Sequence, residues 1–130
     1  MLRPTIAVFL AFLALYFATA GGHLYSPDEE IMFRTTESLA TRGSLAIEPI
    51  RGPDGKTFAS ARGPDGAEYA QYGVANSLFA VPFWWAGEAA CRFVSDDAAR
   101  RALDFRTTLY ADEGPGRGHA LLRRFAVSFF

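Results

Sequence analysis

The chain has 130 residues and a formal charge of −1, from 13 Lys/Arg against 14 Asp/Glu. With no basic excess to displace phosphate counterions, nucleic acid is excluded as a partner held by electrostatics. A lone cysteine, Cys91, excludes an internal disulfide framework and any multi-cysteine metal site. Apolar residues make up 50% of the chain, but 14 of them fall within residues 5–22, and 17 of the remainder are alanine. Alanine buries little surface, so the rest would make a thin core for an independent soluble domain. The composition describes a membrane-attached chain.

From Thr5 to Ala20 the sequence carries no charge and no hydrophobic stripe. A helix apolar all round belongs in lipid or deep inside a large protein, and with Gly21 and Gly22 the stretch approaches the ~20 residues of a bilayer span. Residues 1–22 are therefore expected to form a first transmembrane helix. A cleaved signal peptide over residues 1–20 is the alternative, with Arg3 as its positive end and Ala18-Thr19-Ala20 as its cleavage site. Both readings place residues 23–118 outside the cytoplasm, and the first makes the chain an integral protein of the plasma or inner membrane.

Ser26-Pro27-Asp28-Glu29 is a helix start: an N-cap serine, a proline at the first helical position, and a capping box closed by Glu29. The helix is expected over 27–42, stopping at Gly43. Helical spacing puts Asp28 on the face of Met32 and Leu39, nearest the apolar stripe. Glu30, four residues before Arg34, is expected to pair with it in water.

Beyond Ser44 the pattern changes to short extended pieces and turns. The pentapeptide Arg-Gly-Pro-Asp-Gly occurs at 51–55 and again at 62–66, and Pro-Asp-Gly is turn chemistry. A small β-hairpin near 57–71, with its tip at 63–66, follows. The uncharged run of residues 69–87 contains Gln71, Asn76, Ser77 and Pro82, which suit a lipid-exposed span poorly. Trp84 and Trp85 favour a helix near 74–93 lying at the membrane interface. Ser95 or Asp96 caps a further helix over 96–111. Residues 119–130 resume apolar character, and are expected to be the start of a second transmembrane helix, cut short. The fold class expected is thus a mainly α membrane protein with interfacial helices and one small hairpin.

A carboxylate just past an apolar N-terminal helix is the informative feature. Three segments carry a likeness: Tyr25-Ser26-Pro27-Asp28-Glu29-Glu30, then Leu39-Ala40-Thr41-Arg42-Gly43, then Tyr69-Ala70-Gln71-Tyr72-Gly73 leading into Val81-Pro82-Phe83-Trp84-Trp85-Ala86-Gly87. In these the chain resembles the N-terminal part of the C-type-fold membrane glycosyltransferases, among them the dolichyl-phosphate-mannose protein mannosyltransferases and other lipid-carrier-dependent enzymes. The resemblance implies inverting transfer of a sugar from a polyprenyl-phosphate carrier, within membrane lipid, to a hydroxyl on a protein or glycan acceptor. It places Asp28 as catalytic base, since the acceptor hydroxyl must lose its proton as it attacks. It places Glu29 beside it, orienting the site or helping to hold a divalent cation. His23, Tyr69 and Tyr72 are candidate substrate contacts. Against this stands the plain reading that acids in a first helical turn are favoured by the helix dipole. A secreted or membrane-anchored accessory protein that binds without catalysing is the alternative function.

Overall fold

The computed structural model describes residues 2–19, 24, 26–104 and 114–129. Among these described residues, five helices and two small sheets follow in the order α1 (Leu2–Thr19), α2 (Pro27–Arg42), β1 (Ala46–Ile47), β2 (Ile50–Arg51), β3 (Thr57–Phe58), β4 (Ser60–Arg62), β5 (Glu68–Ala70), α3 (Val74–Ala90), α4 (Asp96–Leu103) and α5 (Arg117–Val127).

Among the described residues no helix is long and apolar enough to cross a membrane. The 18 residues of α1 rise about 27 Å at 1.5 Å each, short of the roughly 30 Å of hydrocarbon in a bilayer. Its first turn holds Arg3 and Pro4, which shortens the apolar part further. This corrects the expected mainly α membrane fold with a span at 1–22, and with it the integral-membrane location. The extracytoplasmic placement of 23–118, so far as it rested on that span, is corrected with it.

The expected second span is corrected as well. α5 is an 11-residue helix that packs against α3 and α4, burying Leu121 and Arg124. A helix that buries an arginine needs a protein partner for that charge, and α2 supplies it. Glu30, expected in water, is 0% exposed. Its Oε1 accepts from Arg124 Nη2 at 2.8 Å and its Oε2 from Arg124 Nε at 3.1 Å. Arg34 Nε adds a third bond to Oε1 at 3.0 Å, the expected i,i+4 pair. The Arg124 guanidinium also lies 4.4 Å from the centre of the Phe33 ring, a distance suited to cation–π attraction.

The core face of α2 runs through Ile31, Phe33, Thr35, Thr36 and Ser38, and Met32 and Leu39 are only half-buried. Thr35 and Thr36 hide their hydroxyls by donating to the carbonyls of Ile31 and Met32, each at 2.9 Å. Two threonines that look polar in sequence therefore behave as small core residues. That is why the apolar stripe inferred from Met32 and Leu39 points the wrong way.

α3 is the central helix, packed on both α2 and α5. Ser77, Ala80, Trp84 and Gly87 are buried along one face, and Ser77 Oγ donates to the Met32 carbonyl at 3.1 Å. Trp84 is 6% exposed, in one cluster with Leu24 and Phe33, whereas Trp85 is 56% exposed. The interfacial-anchor expectation is thereby corrected for Trp84: it is a core residue. α4 begins at the N-cap Ser95, whose side chain accepts from Ala98 N, and ends at Leu103; residues 105–111 of the expected helix lie outside those described. Asp96 then caps α5 from α4, accepting from the backbone N–H of Gly116 at 3.3 Å and of His119 at 2.9 Å. At Gly118 an added Cβ would collide with the Asp96 carbonyl oxygen, so the close approach of the two helices requires glycine there.

The hairpin forms where its turn signals place it. β4 pairs antiparallel with β5, Ala61 opposite Tyr69, and β1 joins the far edge of β5 with Ala46 opposite Tyr69. The first pentapeptide makes a second hairpin, β2 with β3. Both turns close alike: Gly52 N donates to Lys56 O and Gly63 N to Ala67 O, at 2.9 and 2.7 Å. Asp54 and Asp65 each accept from the backbone N–H two residues on, at 3.1 Å. Gly55 and Gly66 sit at φ 75° and 82°, the left-handed region that favours glycine. The internal repeat is thus one turn used twice.

Candidate active site

Ser26 holds an extended backbone (φ −119°, ψ 155°) and turns its hydroxyl into the helix, where it accepts from Glu29 N at 3.3 Å. Glu29 returns the contact, its Oε2 accepting from Ser26 N at 3.0 Å. The reciprocal box ties down two backbone donors and fixes the backbone on either side of Asp28. Both Asp28 and Glu29 are exposed, in contrast to Glu30 one residue later. Asp28 is not set against the apolar stripe.

Tyr72 reaches Asp28 from the turn between β5 and α3. Its hydroxyl donates to Asp28 Oδ1 at 2.7 Å, across 44 residues of sequence. That hydrogen bond is the largest cause of a phenol pKa raised above 10.0, with partial desolvation and the Asp28 charge acting in the same direction. At neutral pH Tyr72 is therefore a donor, and it holds one carboxylate oxygen. Asp28 Oδ2 has no protein partner among the described residues and can accept a proton from a ligand hydroxyl.

The other candidates separate. Tyr69 is engaged at the hairpin tip, where its hydroxyl donates to Asp65 Oδ2 at 2.6 Å. That bond raises the Tyr69 phenol and lowers the Asp65 carboxyl. The structure thus brings Tyr72, and not Tyr69, to Asp28. His23 lies outside the described residues. Glu29 lines a mostly apolar cleft of about 160 Å³ between α2, α3 and the end of α5, with Met32, Phe33, Asn76 and Ser77 among its walls. Asp28 and Tyr72 are not among those walls. No group of three or more His, Cys, Asp or Glu side chains placed to hold a metal ion occurs among the described residues, and one oxygen of Glu29 is already used by Ser26.

Sequence reasoning missed the link from Glu30 to Arg124, which lie 94 residues apart. Two signals in the sequence spoke against a span at 119–130: Arg123 and Arg124 fall inside the apolar run and not at its edge, and a basic pair at the outer end of a span runs against the positive-inside rule. Cys91, half-buried, points its thiol toward the His119 carbonyl at 3.8 Å, and burial pushes its pKa up. It is a packed side chain and a poor nucleophile at neutral pH.

No protein-family model, curated protein or solved structure matches this chain.

Proposed function

We propose that this chain serves sugar transfer from a polyprenyl-phosphate carrier to a hydroxyl acceptor, with Asp28 as the general base. The observation that carries the reading is the Tyr72–Asp28 hydrogen bond of 2.7 Å. It fixes one oxygen of an exposed carboxylate and leaves the other able to take a proton. In the reaction, the acceptor oxygen forms a bond to the anomeric carbon as its proton passes to Asp28 Oδ2. The bond from that carbon to the carrier phosphate breaks, and the phosphate departs with the electron pair. Attack from the face opposite the leaving group inverts the anomeric centre. Tyr72 is a positioning residue in this scheme, because it touches the base and not the reacting atoms.

Support for a lipid-linked donor comes from α1, whose Val8, Phe9, Phe12 and Leu15 are all exposed. A row of uncovered large apolar side chains fits contact with membrane lipid or an isoprenoid chain, and contact does not require crossing a bilayer. Glu29 is assigned to the helix cap on present geometry, with a divalent cation as a further role to be tested. The chain is read as one part of the enzyme and inactive by itself, so the decisive experiment measures transfer from a synthetic polyprenyl-phosphate sugar by the full-length protein that contains it, as wild type, as Asp28→Asn and as Glu29→Gln. Loss of a general base costs about 10²- to 10⁴-fold, and that loss is expected for Asp28→Asn. Undiminished transfer by Asp28→Asn rejects the base assignment and leaves the accessory-binding alternative ahead.

A further inference from the structure

A second polar cavity lies away from Asp28, between the later turns of α2, the chain following β1, and α5. Its volume is about 260 Å³, and Arg34, Arg42, Arg124, Glu37, Glu48 and Ser38 line it. Two of the three arginines keep nitrogens without a protein acceptor among the described residues, whereas Arg124 uses Nε and Nη2 on Glu30 and Nη1 on the Ala120 carbonyl. Arg34 uses Nε on Glu30 and Nη1 on the Glu48 carbonyl, and its Nη2 has no acceptor among the described residues. Arg42 uses Nη2 alone, on Ser38 Oγ and the Ala46 carbonyl. Its Nε and Nη1 are likewise without acceptors there. Arg124 is anchored by Glu30 and reaches the same space from behind.

Guanidinium forks with unused N–H groups match the oxygens of a phosphate ester. Net charge does not draw an anion in, because Glu37 and Glu48 share the walls. These carboxylates are acceptors only, and the Glu48 carboxylate has no protein partner among the described residues. A ligand that satisfies both sets of groups carries phosphate oxygens for the arginines and hydroxyls for the glutamates. The cavity is smaller than the roughly 300–1,000 Å³ of drug-sized pockets, which suits a single sugar ring or less. We infer that this groove binds the phosphate ester of a small polyol, such as a hexose phosphate or the phosphorylated headgroup of an inositol lipid. The inference does not rest on the transfer reaction proposed for Asp28.

Titration calorimetry of the full chain tests it with glucose 6-phosphate, inorganic phosphate and glucose. Co-sedimentation with phosphatidylcholine vesicles, with and without phosphatidylinositol phosphate, distinguishes a lipid source from a soluble one. Binding of glucose 6-phosphate about tenfold tighter than inorganic phosphate is expected, with Arg42→Gln weakening it at least about tenfold. Glu48→Gln, at an exposed side chain with no protein partner among the described residues, should erase the preference for the hexose phosphate over inorganic phosphate without touching the fold. Binding restricted to the phosphoinositide vesicles and lost in Arg42→Gln supports the same site with the headgroup as its ligand. Failure of both ligands to bind, equal affinity for inorganic phosphate, or full binding by Arg42→Gln overturns the inference.

Discussion

Replacing Glu30 by glutamine keeps its shape and removes its charge, at a side chain that is 0% exposed and holds three bonds to arginine. One of its two oxygens becomes an NH₂ group facing guanidinium donors, and Arg124, its side chain 10% exposed, is left with an uncompensated charge. Hydrogen bonds to charged groups contribute about 1.5–3 kcal/mol each, and breaking a buried ion pair on one side costs about 3–5 kcal/mol. Arg34 deserves less weight, because its side chain is 23% exposed and water screens the pair. A loss of about 3–4 kcal/mol follows for Glu30→Gln, a large part of the ~5–15 kcal/mol by which domains are stable. In urea, with a slope of about 2 kcal/mol per molar, the midpoint should fall by roughly 1.5–2 M. The buried Trp84 provides a fluorescence signal for the transition. The double variant Glu30→Met, Arg124→Leu removes both charges together and should lie within about 1 kcal/mol of wild type, since apolar replacement of a buried pair is often neutral. A loss below about 1 kcal/mol in Glu30→Gln would refute the claim that this pair clamps α5 onto α2. So would a double variant as damaged as the sum of its singles.

Two further outcomes are expected. Gly118→Ala drives a methyl group into the Asp96 carbonyl and must push α5 off α4; overpacking of this kind costs about 1–3 kcal/mol or more, and a thermal melt followed by circular dichroism within 1 °C of wild type contradicts that contact. The Tyr69 and Tyr72 phenols are raised above 10.0 in the folded chain, so their contribution to stability is fully present below about pH 10 and is lost as the pH rises through the folded values. Stability measured from pH 8 to 11 should therefore fall less steeply in the Tyr69→Phe, Tyr72→Phe double variant than in wild type, and equal slopes would remove both hydrogen bonds from the account.

Local signals were the legible ones. Ser26, Pro27 and Glu29 announce a helix start, and the box forms as their spacing requires. The two Arg-Gly-Pro-Asp-Gly repeats announce turns, because an aspartate bonding two residues ahead and a glycine at positive φ need only their own neighbours. What failed depends on partners distant in the chain. Glu30 reads as a surface acid until Arg124 arrives from 94 residues away. Trp84 reads as an interfacial ring until α2 and α5 cover it. The segment 119–130 reads as the start of a span because its leucines and phenylalanines outweigh Arg123 and Arg124 in a linear count, whereas in three dimensions those two arginines face Glu30, Glu37 and Glu88. At the site, Asp28 was visible from its place in the first turn. Its separation from Tyr69 and its union with Tyr72 were not, since either tyrosine of the 69–72 segment could have faced it.

The geometry at Asp28 depends on more than its own helix. The capping box sets the backbone through residues 26–29, but the hydroxyl that fixes the carboxylate arrives from the turn that follows β5. β5 is paired on both edges, by β1 and by β4, and Gln71 N continues that pairing with a bond to the Ala59 carbonyl at 3.0 Å. Tyr72 is the next residue, and α3 begins two positions later. A register slip of one residue in β5 would send alternate side chains to the opposite face and move Tyr72 away from Asp28. The sheet therefore positions the Asp28 carboxylate indirectly. α3, docked on α2 through Ser77 and Trp84, closes the same loop from its other end. An exposed aspartate held only by its own helix end would need none of this. The Tyr72 bond, set by a central strand, a helix start and a docked neighbour, is what distinguishes Asp28 from an acid placed by the helix dipole alone.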